Sequence, residues 1–146
     1  MKKIALSLIA GFSLLGASAA EPEWLTDLAQ AKSLAKAGNK LVLMDFTGSD
    51  WCPPCKKLKK DVFSSDEFAT FAKANLVLVE VDFPRTKKQS AELKKANQAL
   101  SEKFAIEAYP TVIVLSPEGK QLSKDTGYDG SSAKDFVAKL EKFTKK

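Results

Sequence analysis

Two cysteines, Cys52 and Cys55, are separated by two prolines and are the only cysteines in this sequence of 146 residues. Residues three apart on a first helical turn face the same way, with Cα atoms about 5 to 6 Å apart, the separation that a disulfide requires. A helix N-terminus also stabilises a thiolate and lowers its pKa from about 8.5 toward about 7. The spacing therefore predicts a reversible dithiol–disulfide pair. Cys52, at the exposed end, would be the attacking thiolate, and Cys55, one turn deeper, would resolve the mixed disulfide.

A purely structural crosslink is the alternative role for this pair. Closing a loop of four residues restrains the unfolded chain by about 2 kcal/mol in the loop-entropy treatment, whereas a loop of a hundred residues gives about 4.7 kcal/mol. A pair so closely spaced is poorly placed to hold a fold together. The redox interpretation is therefore favoured over the structural one.

The sequence contains no histidine, which excludes several other uses of the two thiols. Two cysteines without an imidazole cannot complete the usual tetrahedral zinc site, so we expect no metal. Ser–His and Cys–His nucleophilic triads are excluded because no imidazole is present to take the proton. We expect no cofactor either.

Composition indicates an ordinary globular domain, with 45% hydrophobic and 28% charged residues and a formal charge of +5. Lysine supplies nearly all of the basic residues, and Arg85 is the single arginine. Recognition of phosphates or guanine prefers the two-pronged guanidinium group of arginine. We therefore expect no binding to nucleic acid.

The first twenty residues have the pattern of an export signal. Lys2 and Lys3 form a basic start, residues 4–15 an apolar segment, and Ala17-Ser18-Ala19 supplies the small residues of a cleavage site. We expect residues 1–20 to be a signal peptide and residues 21–146 to form one domain in the periplasm or an equivalent compartment. The apolar stretch at 4–20 has 17 residues, the lower limit for a membrane span, so cleavage is favoured over retention as an anchor. No other stretch of the sequence is long and apolar enough to cross a bilayer, so no stable membrane insertion is expected after cleavage.

Hydrophobic periodicity alternates between helical and strand patterns along the remaining sequence. The predicted elements are a helix at 24–37, a strand at 41–46, a helix at 53–62, a helix from 64 or 65 to 74, a strand at 76–81, a helix at 89–104, strands at 111–115 and 121–125, and a helix at 131–143. This order predicts an α/β domain whose parallel-rich sheet has helices on both faces, with an antiparallel edge formed by the last two strands.

At Trp51-Cys52-Pro53-Pro54-Cys55-Lys56, which follows a buried strand and opens a helix, the sequence resembles the thioredoxin family. Asp45 lies in the preceding strand, and Tyr109-Pro110-Thr111 stands where thioredoxin-like proteins carry a cis proline. The resemblance extends over essentially all of residues 21–146. Residues 45–52 and 61–68 are most similar to exported thioredoxin-like proteins and to the periplasmic C-terminal domain of transmembrane electron-conducting reductases.

The resemblance implies a single thioredoxin-like domain with a central mixed β-sheet flanked by helices on both faces. It also implies a thiol–disulfide oxidoreductase that forms a mixed disulfide through Cys52 and resolves it through Cys55. In this family the acid at Asp45 accepts, through water, the proton of the resolving cysteine, and burial in its strand should raise its pKa. The lysine that accompanies this acid in thioredoxin has no evident counterpart, since Leu78 falls nearest that place.

Trp51, Pro53, Pro54, Tyr109 and Pro110 are expected to form the substrate groove. A cis Pro110 would present the backbone of Tyr109 for strand-like pairing with an extended substrate. We favour a monomeric reductant of protein disulfides that a membrane electron donor recharges, because an oxidising compartment would otherwise leave it oxidised. The alternatives are a disulfide oxidase or isomerase on the same fold, and a redox-inactive module that uses the groove for binding or chaperoning.

Overall fold

The computed structural model describes residues 20–144, so the expected signal peptide lies outside the described residues except for Ala20. The elements are β1 (Trp24–Leu25), α1 (Leu28–Gly38), β2 (Leu41–Thr47), α2 (Pro53–Leu58), a π-helical turn (Lys59–Phe63), α3 (Asp66–Asn75), β3 (Leu76–Asp82), α4 (Ala91–Lys103), β4 (Thr111–Leu115), β5 (Gln121–Thr126) and α5 (Ala133–Thr144). Between residues 20 and 144, no helix is long and apolar enough to cross a membrane.

The five strands form one mixed sheet in the order β1-β3-β2-β4-β5. Strand β3 runs parallel to β1 and β2, whereas β4 runs antiparallel to β2 and β5. One apolar layer packs α2, α3 and α5 against the sheet, and a second packs α1 and α4 against the opposite face. The predicted α/β architecture, with a mixed sheet between two helical layers, is confirmed.

Strand β2 is central, and all of its residues are buried. Successive side chains of a strand point to opposite faces. Accordingly, Leu41 and Leu43 pack in the layer of α2, α3 and α5, whereas Val42 and Phe46 pack in the layer of α1 and α4. The same alternation directs Asp45 into the layer that contains α2. The sheet thereby fixes which helix faces this carboxyl group.

The start of the chain differs from the sequence prediction, which began the first helix at Trp24. Trp24 and Leu25 instead form β1 at the edge of the sheet, paired with β3. Asp27 caps α1, because its carboxylate accepts hydrogen bonds from two backbone N–H groups of the first turn at 2.7 and 3.1 Å. The helix therefore begins at Leu28. The predicted helix at 53–62 is divided into α2 and the π-helical turn, and the other elements agree to within two residues at each end.

The loop between β2 and α2 is tied to the segment that follows β3. The carboxylate of Asp50 accepts hydrogen bonds from the three backbone N–H groups of residues 85–87 and from the Thr86 hydroxyl, at 2.7 to 3.0 Å. Ser49 donates from its backbone and its hydroxyl to the Asp82 carboxylate at 2.9 and 2.5 Å. The hydrogen bonds to Asp50 hold its pKa below the ordinary range. This network fixes the loop that leads into the cysteine motif.

The indole of Trp51 occupies a tightly defined place beside the motif. Its Nε1 donates to the Phe83 carbonyl at 2.8 Å, and its ring meets the Tyr109 ring edge-on at 5.9 Å between centroids. The guanidinium of Arg85 lies 3.9 Å from the centroid of the indole ring, within cation–π range. A Cβ at Gly48 would lie only 2.5 Å from the indole. Glycine at position 48 therefore leaves the space that Trp51 fills.

We predict that Gly48→Ala displaces Trp51 and lowers the free energy of unfolding by about 1 to 3 kcal/mol, because the added methyl group overlaps the ring. Urea unfolding and tryptophan fluorescence of the folded protein measure the two effects. Gly38→Ala is the matched control, since a Cβ at Gly38 meets only the Lys40 side chain at 3.5 Å. Equal stability and unchanged fluorescence for Gly48→Ala would show that the contact does not hold Trp51.

Candidate active site

Cys52 and Cys55 form a disulfide in the structure, with Cα atoms 5.3 Å apart. Cys52 is the N-cap of α2, with extended backbone, and Pro53 opens the helix. Proline is well suited to this position because the first N–H groups of a helix have no intrahelical partner. The predicted separation of the two Cα atoms, and the predicted position of the pair at the start of a helix, are confirmed.

Both half-cystines are buried, each with 3% of its surface exposed. The expectation that Cys52 is the exposed member of the pair is therefore wrong for this oxidised state. The backbone N–H of Cys52 donates to the Gly48 carbonyl at 2.9 Å, which closes a turn that folds Cys52 back against the loop. The exposed residues of the motif are Pro53 and Pro54, at the first turn of α2.

Asp45 is a buried acid whose Oδ1 has no hydrogen-bond partner among residues 20–144. Loss of water on burial raises the pKa of Asp45 to about 8, and the negative charges of Glu80 and Asp82 contribute in the same direction. The positive charge of Lys59 opposes them and lowers the pKa. The prediction that burial raises the pKa of Asp45 is confirmed.

A half-open cleft of about 330 Å³ connects this acid with the surface. The side chains that line it include Asp45, Cys55, Glu80 and four lysines, Lys56, Lys59, Lys60 and Lys87. Cys55 and the buried carboxyl group of Asp45 thus line one cavity, as the proton transfer expected from the family resemblance requires. The lysines give the mouth of this cavity a positive charge.

The charged neighbours of Asp45 differ from those that sequence reasoning considered. Leu78, expected nearest the place of an accompanying lysine, is a buried core residue. The residue beside Asp45 on β3 is Glu80, and the cation that acts on Asp45 is Lys59. Sequence analysis missed both residues. Lys59 lies four residues after Cys55, a spacing that places two helical side chains on one face and could have identified it.

The aromatic side of the motif is formed by residues from three segments. The Tyr109–Pro110 peptide bond is cis, and Pro110 is buried. Strand β4 begins at the next residue and pairs with β2 at Phe46, so Pro110 lies near the end of β2 where the motif loop begins. The Tyr109 ring contacts Trp51 and also Phe83, at 5.3 Å between ring centroids. The structure therefore brings Trp51 and Tyr109 together.

The chemistry available here is the transfer of electrons and protons. A dithiol–disulfide couple carries two electrons, and a carboxyl group with a pKa near neutrality can both accept and donate a proton. Within residues 20–144, no group of three or more cysteine, aspartate or glutamate side chains is arranged to hold a metal ion.

Comparison with known proteins identifies similar domains that match most of the chain. The family model of the thioredoxin-like domain matches residues 28–144. Disulfide bond reductase DsbH of Chlamydia pneumoniae is 34% identical over 124 residues, which cover 85% of this chain and 74% of that protein. Thiol:disulfide interchange protein DsbD of Pasteurella multocida is 30% identical over 123 residues, which cover 82% of this chain and 19% of that protein.

A solved structure titled DsbH Oxidoreductase superposes with a TM-score of 0.79 at 30% sequence identity. The match covers 97% of this chain and 93% of the solved chain. The extent of these matches, together with the Cys52–Cys55 disulfide, shows that the chain belongs to the thioredoxin-like family of disulfide oxidoreductases.

Proposed function

We propose that this protein reduces the disulfides of protein substrates in the periplasm or an equivalent compartment. The observation that carries the proposal is the Cys52–Cys55 disulfide at the start of α2, with Cys55 and the buried acid Asp45 lining one open cleft. Similarity to a relative named as a disulfide bond reductase supports the direction of electron flow. An expected signal peptide at residues 1–20 supports the location.

In the proposed reaction, Cys52 is the attacking cysteine and Cys55 is the resolving cysteine. In the reduced protein, the Cys52 thiolate attacks a substrate disulfide, and one substrate sulfur leaves and takes up a proton. Asp45 accepts the proton of Cys55, whose thiolate then attacks the Cys52 sulfur. The bond between Cys52 and the substrate breaks, and the second substrate thiol is released. Two electrons have then passed to the substrate, and the Cys52–Cys55 disulfide has formed.

The helix N-terminus and the lysines of the cleft favour a thiolate, but other features of the motif weaken that stabilisation and so support a reductant. A strongly oxidising couple requires a reduced form that is stabilised as a thiolate. Pro53 and Pro54 lack the N–H groups that other residues would offer near the sulfurs. Lys57 forms an ion pair with Asp61, so much of its positive charge is already compensated. The buried Asp45 also disfavours a nearby thiolate whenever it is ionised.

We assign substrate binding to the exposed rim of the motif. Trp51 and Tyr109 provide an aromatic edge, and Pro53 and Pro54 project from the first turn of α2. Together with Pro110 they would form a groove for an extended segment around the substrate disulfide. Because an oxidising compartment would leave the protein oxidised, a membrane protein would supply the electrons to the monomeric domain.

Cys55→Ser is expected to accumulate mixed disulfides through Cys52, because the attacking thiol remains and the resolving thiol is lost. The variant would be expressed in the native host and its adducts separated by non-reducing electrophoresis and identified by mass spectrometry. Cys52→Ser is the matched control and should trap no partner. Failure of Cys55→Ser to trap any partner under mild oxidation would contradict the proposed function.

Asp45→Asn is expected to slow turnover at neutral pH by about tenfold or more, because the proton acceptor for Cys55 is lost. The same variant should be more stable than the parent protein. The pKa of Asp45 rises from 3.8 to about 8 on folding, so the folded state of the parent loses stability as the pH increases between these values.

We expect the free energy of unfolding of the parent protein to fall by about 1 kcal/mol for each pH unit from pH 4 to 8 through the titration of Asp45. This contribution should be absent in Asp45→Asn. Insulin reduction measures turnover, and urea unfolding at several pH values measures stability. A difference in stability between the two proteins that does not change with pH would contradict the raised pKa of Asp45. Identical turnover of the two proteins at every pH would remove Asp45 from the proton transfer.

A further inference from the structure

Arg85, the single arginine of the sequence, lies on the rim of the cysteine motif. Its guanidinium group lies over the indole of Trp51, the residue before Cys52, at 3.9 Å from the ring centroid. The indole in turn meets the ring of Tyr109 edge-on, and Tyr109 precedes the cis proline. A cation therefore covers the aromatic edge that would bind the substrate.

The backbone that carries Arg85 is fixed to the loop of the motif. The N–H groups of residues 85–87 donate to the carboxylate of Asp50 at 2.7 to 3.0 Å, and Asp50 stands two residues before Cys52. Contact with the indole restrains the other end of the arginine side chain. A group that is held in place before a ligand arrives loses less entropy on binding.

The hydrogen-bond donors of this guanidinium group are unused within residues 20–144. The ion pairs in that part of the chain are Lys57–Asp61 and Lys139–Asp129, and no described acceptor receives a hydrogen bond from the side chain of Arg85. Arg85 is also exposed. A guanidinium group presents five N–H donors in a planar fork that matches the two oxygens of a carboxylate. The donors of Arg85 are thus available to a carboxylate from a partner.

Positive charge continues from Arg85 along the same side of the motif. The cleft beside the disulfide is lined by four exposed lysines, one of which, Lys87, lies two residues after Arg85. Two acids also line the cleft: Glu80, which is half-buried, and Asp45, which burial keeps largely protonated at neutral pH. This side of the motif therefore carries a net positive charge and attracts an acidic segment.

The opposite side of the motif differs in charge. In the sheet, β3 lies on one side of β2, whereas β4 and β5 lie on the other. Both β3 and β5 run in the direction of β2, so the segments that follow them lie at the same edge as the motif. Arg85 follows β3, whereas the end of β5 and the next segment carry Asp125 and Asp129, of which Lys139 compensates one. An acidic substrate residue is therefore favoured on the side of Arg85.

We propose that Arg85 is a specificity residue that binds the carboxylate of an acidic side chain next to the cysteine of a protein substrate. The inference rests on the proposed function, because it names a property of the substrates that are reduced through Cys52. The carboxylate accepts two N–H groups of the guanidinium fork. The lysines of the cleft add long-range attraction to the same substrates.

The test uses Cys55→Ser, whose Cys52 holds a peptide as a mixed disulfide without resolving it. Two peptides that differ only in glutamate or glutamine beside their cysteine compete as thiols for Cys52 in a glutathione buffer, and mass spectrometry gives the ratio of the two adducts. The ratio of the glutamate adduct to the glutamine adduct should fall by about fivefold when Arg85→Gln is added, the upper range for an exposed ion pair. Because both variants meet the same peptides, the effect of glutamate on its own thiol cancels.

Two further substitutions sharpen the comparison. Arg85→Lys should keep about a twofold preference, because an ammonium group retains the charge but lacks the two-pronged geometry. Lys88→Gln is the matched control, since it removes one positive charge from an exposed residue of the same segment and should leave the ratio in place. A ratio that Arg85→Gln leaves unchanged, or that Lys88→Gln lowers to the same extent, would overturn the proposal. A disturbed rim would weaken both adducts together, so the ratio and not the amount is decisive.

These measurements separate the inference from the proposed function. Peptide competition needs no natural substrate, so a ratio that depends on Arg85 can occur in a protein whose Cys55→Ser variant traps no partner in the native host. That combination would contradict the proposed function and support the carboxylate site. Trapped host proteins with a ratio independent of Arg85 would support the function and overturn the inference. If Cys52 formed no adduct with either peptide, both would fail.

Discussion

A carboxyl group buried on the central strand is the constraint on which the rest of the site depends. Asp45 lies in β2, which is covered by helices on both faces and flanked by β3 and β4. Water cannot solvate its charge there, so the protonated form persists to a pH of about 8. The opening toward this group is the cleft that Cys55 also lines. Sheet order, strand burial and the position of α2 thus together place a carboxyl group of raised pKa in the cleft that Cys55 lines.

The loop before the motif explains why the disulfide is held in one place. Asp50 binds the backbone of residues 85–87, and Gly48 leaves space for the indole of Trp51. The hydrogen bonds to Asp50 join segments 35 to 37 residues apart in sequence, so the position of the loop that carries Cys52 depends on the tertiary fold. In the proposed function, a substrate approaches at the prolines and the aromatic rim, because Cys52 and Cys55 are themselves buried in the disulfide form.

Much of the architecture was predictable because its signals are local. The continuous apolar run of β2 and the proline at the start of α2 act within a few residues, and both elements form where expected. Trp24 and Leu25 were assigned wrongly because their spacing also fits a helix, and only the edge of the sheet at β3 decides the outcome. The capping residue Asp27 was the available local signal for the true helix start.

The site was predictable to the extent that single residues carry it. The cysteine spacing and the acid within an apolar strand are visible in the sequence, and the raised pKa of Asp45 followed from burial alone. Glu80 was not predictable, because its position depends on the register between β2 and β3. The burial of Cys52 depends on a turn closed by Gly48. The position of Glu80 arises from pairing between strands and the burial of Cys52 from an irregular turn, and periodicity encodes neither.

The central claim is that the Cys52–Cys55 disulfide opens and closes reversibly in the folded protein. A redox titration in dithiothreitol buffers, read by alkylation of the free thiols, tests it most directly. The account predicts a reversible two-electron transition with a midpoint nearer the thioredoxin value of about −270 mV than the value of about −120 mV of a strong oxidant. A disulfide that yields no thiols in excess reductant while the protein stays folded, or a midpoint near −120 mV, would contradict it.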